Sequence, residues 1–273
     1  MRQRLFGCVL AALIGVTAVS RGQWLHYPTD GVPRRADGTP DLSAPPPHLP
    51  DGKPDFSGIW HVALRNPCDE RTTFIPCNSE IGGSPLALDL GAQSPGGLPY
   101  QPPAAALVKE RVANGHADDP HVRCLPDNPP RTWGMPHLTK IVHTPKLLVM
   151  LYEVNAMYRQ IFTDGRPLPE DPTPGWNGYS SAHWEGDTLV IETNGIRDDM
   201  WLDIQGSPVT ESARVTERLK RVNFGIMQVE IAVNDPKAYT RPWSVTVEMA
   251  MQVDTTMLEE ICLDDEQDVK LYK

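Results

Sequence analysis

Between residues 243 and 253 the chain alternates without a break. Trp243, Val245, Val247, Met249, Met251 and Val253 fall on one side, and Ser244, Thr246, Glu248, Ala250 and Gln252 on the other. An extended backbone points successive side chains to opposite faces, so this period of two predicts a strand with one buried face. Residues 228–233 repeat the code, with Val229, Ile231 and Val233 inside and Gln228 and Glu230 outside. In 213–222, Arg214, Thr216, Arg218 and Lys220 share one face, and Ala213, Val215, Glu217 and Leu219 the other.

Short runs of this kind recur from Leu138 onward. They lie at about 138–143, 147–154, 157–163, 179–184, 188–193, 212–222, 226–233, 243–253 and 257–262, and an earlier one, "DFSGIWHVAL", spans 55–64. Turn residues separate them and no amphipathic helix intervenes. The pattern predicts an all-β antiparallel meander, closed into a barrel because closure hides strand edges. Upstream the pattern fails. The chain carries 28 prolines, and the Pro-rich stretches of its first two-thirds argue for arms and loops rather than long helices. Residues 23–55 read as an extended Pro-rich arm with a near-duplication, "ADGTPDLSA" (36–44) and "PDGKPDFSG" (50–58). Its repeated Asp-Gly turns either lay the arm over a domain or belong to a flexible linker. Residues 56–273 then form a single β-rich domain with a loop-rich insert at about 79–136. The insert holds one predicted helix, 103–113, with proline at its start and Asn-Gly after its end.

The N-terminus narrows the compartment. Arg2 and Arg4 precede an apolar run from Leu5 to about Val19, followed by the small residues Ala18 and Ser20. This predicts a secretory signal peptide over 1–22, too short for a transmembrane span, and hence a periplasmic or secreted protein with no membrane span after the leader is removed. Basic side chains number 25 against 35 acidic ones, a formal charge of −10, and no basic stripe interrupts the excess; nucleic acid is an excluded partner. Four cysteines follow the leader, an even number that suggests two disulfides in an oxidising compartment. Cys68 with Cys77 closes a short loop, which leaves Cys124 with Cys262; three connectivities remain open. No cysteine or histidine spacing supports zinc or haem, and no cofactor is expected. "GHADDPHVRC" (115–124) gathers His116, Asp118, Asp119 and His121, but the spacing matches no established ligand pattern, so no metal site is assigned.

Candidate chemistry concentrates in two places. Glu217 points to the apolar face of its strand. A buried carboxylic acid has a raised pKa and can serve as a general acid or a ligand anchor; alternatively it pairs with an inward arginine or sits at the barrel mouth. The second place is "GYSSAHWEGDTLVIET" (178–193). With Gly186-Asp187 as a type II′ turn, Trp184 faces Leu189, Ala182 faces Ile191 and Ser180 faces Thr193. The other face carries Ser181 opposite Glu192 and His183 opposite Val190, which leaves His183 and Glu192 diagonal neighbours suited to acid–base work or to a plain wet face. Ser181 has no nucleophile elbow or oxyanion hole around it. The stretch 158–180, which includes a Pro-rich loop, supplies Tyr158, Arg159, Trp176 and Tyr179 as candidate ligand-binding residues.

The phrases "DGKPDFSGIW", "YRQIFTDGR", "WEGDTLVIET", "VTERLKRV" and "DPKAYTRPWSV" resemble those of an uncharacterised family of exported bacterial proteins, over roughly residues 50 to 262. The resemblance implies one continuous secreted domain and lends no activity. The β patterning is also generically similar to lipocalin and fatty-acid-binding barrels. Three function classes follow. The barrel mouth binds a small apolar or aromatic molecule, with Tyr158, Trp176 and Tyr179 as walls and Arg159 or Glu217 as polar anchor. Alternatively, the cavity performs isomerase, lyase or hydrolase chemistry with His183 and Glu192 or Glu217. A third class is an envelope interaction protein whose arm binds a partner.

Overall fold

The computed structural model describes residues 27–63, 89–94 and 96–262. Among them nine strands close into one barrel: β1 (Gly58–Val62), β2 (Thr139–Thr144), β3 (Leu147–Tyr152), β4 (Tyr158–Phe162), β5 (Tyr179–Glu185), β6 (Thr188–Asn194), β7 (Arg214–Arg221), β8 (Ile226–Asn234) and β9 (Trp243–Gln252). Each strand pairs with its neighbour in sequence, and β9 returns to pair with β1. Two helices, α1 (Pro102–Ala113) and α2 (Pro129–Thr132), lie in the long connection from β1 to β2. The predicted leader, Cys68 and Cys77 lie outside the described residues. No described helix is long and apolar enough to cross a membrane.

The alternation decides which face is inside. In β8, Met227, Val229, Ile231 and Val233 are fully buried while Gln228 and Glu230 face outward. In β9, Trp243, Val245, Val247, Met249 and Met251 line the interior. The hairpin of β5 and β6 adopts the expected register, with Trp184 opposite Leu189, Ala182 opposite Ile191 and Ser180 opposite Thr193. Gly186 has φ +60° whereas Asp187 is not left-handed, the pattern of a type II′ turn.

The expected pure antiparallel meander is corrected at one seam: β4 and β5 run parallel. Directions can alternate around a closed ring only if the strand number is even. Nine strands therefore force a parallel neighbour pair, and here β4–β5 takes that role while β9–β1 closes antiparallel. A parallel pair needs a crossover of a dozen or more residues, supplied by the Pro-rich loop 163–178. A second correction concerns 257–262, which is not a strand. With β1 and β9 already paired, the barrel has no edge for it. The segment runs outside β3, where the Leu258 N–H donates to Glu153 Oε1 (2.7 Å), and Cys262 forms a disulfide with Cys124.

Residues 27–57 cover one end of the barrel, where β1 begins and β7 and β9 finish. The near-duplication becomes two copies of one turn, offset by fourteen residues. Arg34 bridges Pro40 as His48 bridges Pro54. The Asp41 N–H donates to Pro33 O as Asp55 N–H donates to Pro47 O, at 2.7 and 2.9 Å. Each copy ends by delivering an apolar side chain to the core, Leu42 in the first and the fully buried Phe56 in the second. Phe56 lies against the His143 and Trp184 rings. At the other end, the segment around α2 inserts the indole of Trp133.

Candidate functional site

The barrel interior is occupied by its own side chains rather than open to a ligand. Trp60, Trp133, Met150, Tyr152, Arg159 and Glu217 are all buried there. Arg159, inward from β4, meets Glu217, inward from β7. Its Nη1 donates to Oε1 at 2.9 Å and its Nη2 to Oε2 at 2.5 Å. The Trp133 indole N–H adds a third bond to Oε1 at 2.5 Å. The remaining guanidinium donors go to Ser180 Oγ (3.0 and 3.2 Å) and Thr193 Oγ1 (2.9 Å). Burial opposes a charge on Arg159, but Glu217 beside it outweighs that and holds the guanidinium above its ordinary range. The Tyr152 phenol is pushed up by burial. Glu217 is thus the partner of an inward arginine, and neither member is a free anchor for a ligand in the barrel.

The sequence-level pairing of His183 with Glu192 is not formed. Their side chains are on the outer face of the hairpin, and His183 Nε2 lies 3.5 Å from Glu185 Oε1, with both groups about half exposed. Glu185 in turn binds Arg218 (2.6 Å), which holds its carboxyl below the usual range. Ser181 is covered by the crossover loop and donates to the Arg166 carbonyl. The acid–base alternative therefore has no enclosed setting: its histidine is in water and its buried acid is saturated by three donors.

The four candidate ligand-binding residues do come together. Tyr158, Arg159, Trp176 and Tyr179 line one cleft of about 900 Å³ on the outside of the barrel, over the β4–β5 seam. The seam holds only two paired positions, Ile161 with Ser180 and Phe162 with Ser181. Below them β4 and β5 diverge, and the Asn177 side chain spans the gap by donating to the Tyr158 carbonyl (2.9 Å). The loop 163–178 forms the far wall. It is tied down by Asn194 Nδ2 to Pro169 O (2.8 Å) and by Gly175 N–H to Gly195 O (2.9 Å). At Gly178 the chain passes so close to the Asn194 carbonyl that a Cβ would collide with it, and its φ of +58° favours glycine.

The cleft presents aromatic surface. Tyr158 is 60% exposed and Tyr179 42%, an unusual exposure for large rings on adjacent strands. One ring face is already taken at each side of the cleft: Arg197 stacks over Trp176 at 4.3 Å and Arg166 over Phe162 at 3.7 Å. Asn177 Oδ1 is buried with no hydrogen-bond partner among the described residues. A buried acceptor left unpaired is costly to the fold. Arg159 forms the floor with its charge turned inward. Asn177 and Phe162 were missed in the sequence, although Phe162 shares a strand face with Tyr158 and could have been read from the period of two. Among the described residues no group of three or more His, Cys, Asp or Glu could hold a metal ion. Asp119 and His121 instead join a buried network: Asp119 pairs with both Nη atoms of Arg131 (2.8 Å each), and His121 binds Asp127 (2.9 Å). No protein-family model and no curated protein matches the chain, so the geometry alone carries the functional reading.

Proposed function

We propose that this protein is an exported binding barrel that takes a small apolar or aromatic molecule carrying a hydrogen-bond donor. The site is the cleft over the β4–β5 seam. One observation carries the reading: aromatic residues from two strands and a crossover loop converge on one cleft, and beside it Asn177 Oδ1, an acceptor that a ligand donor reaches when the side chain turns toward the cleft, has no partner among the described residues. Pockets of 300–1,000 Å³ lined by rings with a few placed polar atoms are the usual form of small-molecule sites. Export is supported by the leader-like N-terminus and the Cys124–Cys262 disulfide.

Titration calorimetry with 2-naphthol, 2-methoxynaphthalene and naphthalene tests the proposal. The wild-type protein should bind 2-naphthol saturably and the two compounds without a donor about tenfold more weakly, the value of one hydrogen bond to a buried acceptor. Tyr158→Ala and Trp176→Ala should each weaken 2-naphthol by about three- to tenfold, from the loss of one aromatic contact. Absence of saturable binding, or equal binding by the wild type and both variants, would refute the site.

A further inference from the structure

A second cavity lies at the arm end of the barrel and is independent of the cleft. It measures about 780 Å³ and lies between residues 27–32, the start of β1 and the turn joining β7 to β8. Arg221, the last inward residue of β7, lines it. Three arginines are buried among the described residues: Arg131, Arg159 and Arg221. The first two are neutralised in bidentate contact with Asp119 and Glu217. Arg221 has no carboxylate within 4 Å among the described residues. Its guanidinium, between the Trp60 and Phe224 rings, donates to the carbonyls of Asp55, Ser57, Asn223 and Phe224 and to Met251 Sδ.

We infer that this cavity binds a small monocarboxylate with an apolar body, its carboxylate on Arg221. A buried, uncompensated charge is expensive, and proteins ordinarily supply a counter-ion or leave one to be supplied. Three guanidinium contacts are long: Nε to Asn223 O and Nη1 to Ser57 O at 3.4 Å each, and Nη2 to Met251 Sδ at 3.8 Å. The last two lie on the two nitrogens that a carboxylate engages as a fork. Phe224, Met251, Ile59 and Val32 make the apolar wall for the body of the ligand. Lys140 adds a second cation, while Asp30 and Asp55 also reach the cavity. Those two acids set the charge limit: one negative charge is favoured by the guanidinium, and a dianion is repelled. The Asp55 carboxylate does not itself serve Arg221, because Oδ1 accepts from the Ser57 N–H (2.8 Å) and lies 3.8 Å from His143 Nδ1. Burial pushes Arg221 down to about 10, only partly offset by Asp55, as expected of a guanidinium that lacks an anion.

Octanoate and octanamide, which differ in charge at nearly equal shape, test the inference on the full chain. Octanoate should bind saturably by calorimetry, shift the Arg221 Nε–Hε resonance in a ¹⁵N–¹H spectrum and raise the melting temperature. Octanamide should bind at least about tenfold more weakly. Arg221→Lys, which keeps the charge but not the fork, should weaken octanoate by about tenfold. Trp176→Ala should leave octanoate binding unchanged, which separates this site from the seam cleft. Equal affinity for the two probes, an unmoved Arg221 resonance at saturation, or no octanoate binding at all overturns the inference, whether or not Arg221→Lys folds.

Discussion

Replacing Glu217 by glutamine is the sharpest probe of the barrel interior. Three hydrogen bonds end on its carboxylate, two from Arg159 and one from Trp133, and both members of the ion pair are within 1% of complete burial. Glutamine preserves the volume but removes the charge and turns a donor toward the guanidinium. Breaking a buried pair from one side leaves the other charge uncompensated, at a cost of about 3–5 kcal/mol. At a urea m-value of about 3 kcal/mol/M this is a drop of about 1–2 M in the unfolding midpoint, or about 6–20 °C in melting temperature for a domain of this size. The double variant Arg159→Met with Glu217→Leu should be less damaged than either single change. It removes both charges together and leaves Ser180 and Thr193 bonded to each other (3.0 Å), with about 1–3 kcal/mol for the orphaned Trp133 N–H. A loss below about 1 kcal/mol in Glu217→Gln, or a double-variant loss equal to the sum of the single ones, would refute the assignment of this pair as a mutually dependent core element.

The disulfide between Cys124 and Cys262 spans 138 residues, so Cys124→Ser with Cys262→Ser should lower stability by about 3–5 kcal/mol in urea titration, and a loss under about 1 kcal/mol would contradict it. Burial depresses His143 below its ordinary 6.5, against a partial offset from Asp55, so the unfolded chain takes up its proton first. The His143 contribution to stability should be level above pH 6.5 and fall as the pH drops from 6.5 toward the folded value, and His61, depressed by burial too, adds to the same limb. His143→Gln should make that acid limb shallower in melting curves from pH 4 to 8; superimposable limbs would show that His143 is not its source.

The strands were legible because a closed barrel has one dry and one wet face, and that asymmetry is written at period two in 213–222, 228–233 and 243–253. The same code put Glu217 on the inward face, and extended by one position it places Arg221 there as well. Applied to "YRQIF", it sets Arg159 beside Ile161. Two opposite charges on inward faces are the sequence trace of the buried pair, but their strands are 58 residues apart, and alternation says nothing about which strands meet. Trp133 left no trace, since it arrives from a short helix whose position depends on the finished barrel. Strand direction is equally invisible to a period of two. The parallel seam therefore could not be read, although the length and proline content of 163–178 were the marks of a crossover.

That seam links the fold to the proposed function. A nine-stranded ring cannot alternate throughout, so one pair must run parallel, and its connection must travel the length of the barrel on the outside. The parallel pair here is paired at two positions, against three to eight at every other seam. Where β4 and β5 part, the crossover loop stands off the wall, Tyr158 and Tyr179 remain exposed and Trp176 is only half-buried. The interior offers no such opening, because Arg159 and Glu217 satisfy each other and the large rings fill what remains. The proposed seam site thus falls where the ring closes least well, and its floor is the outer side of the ion pair that fills the middle.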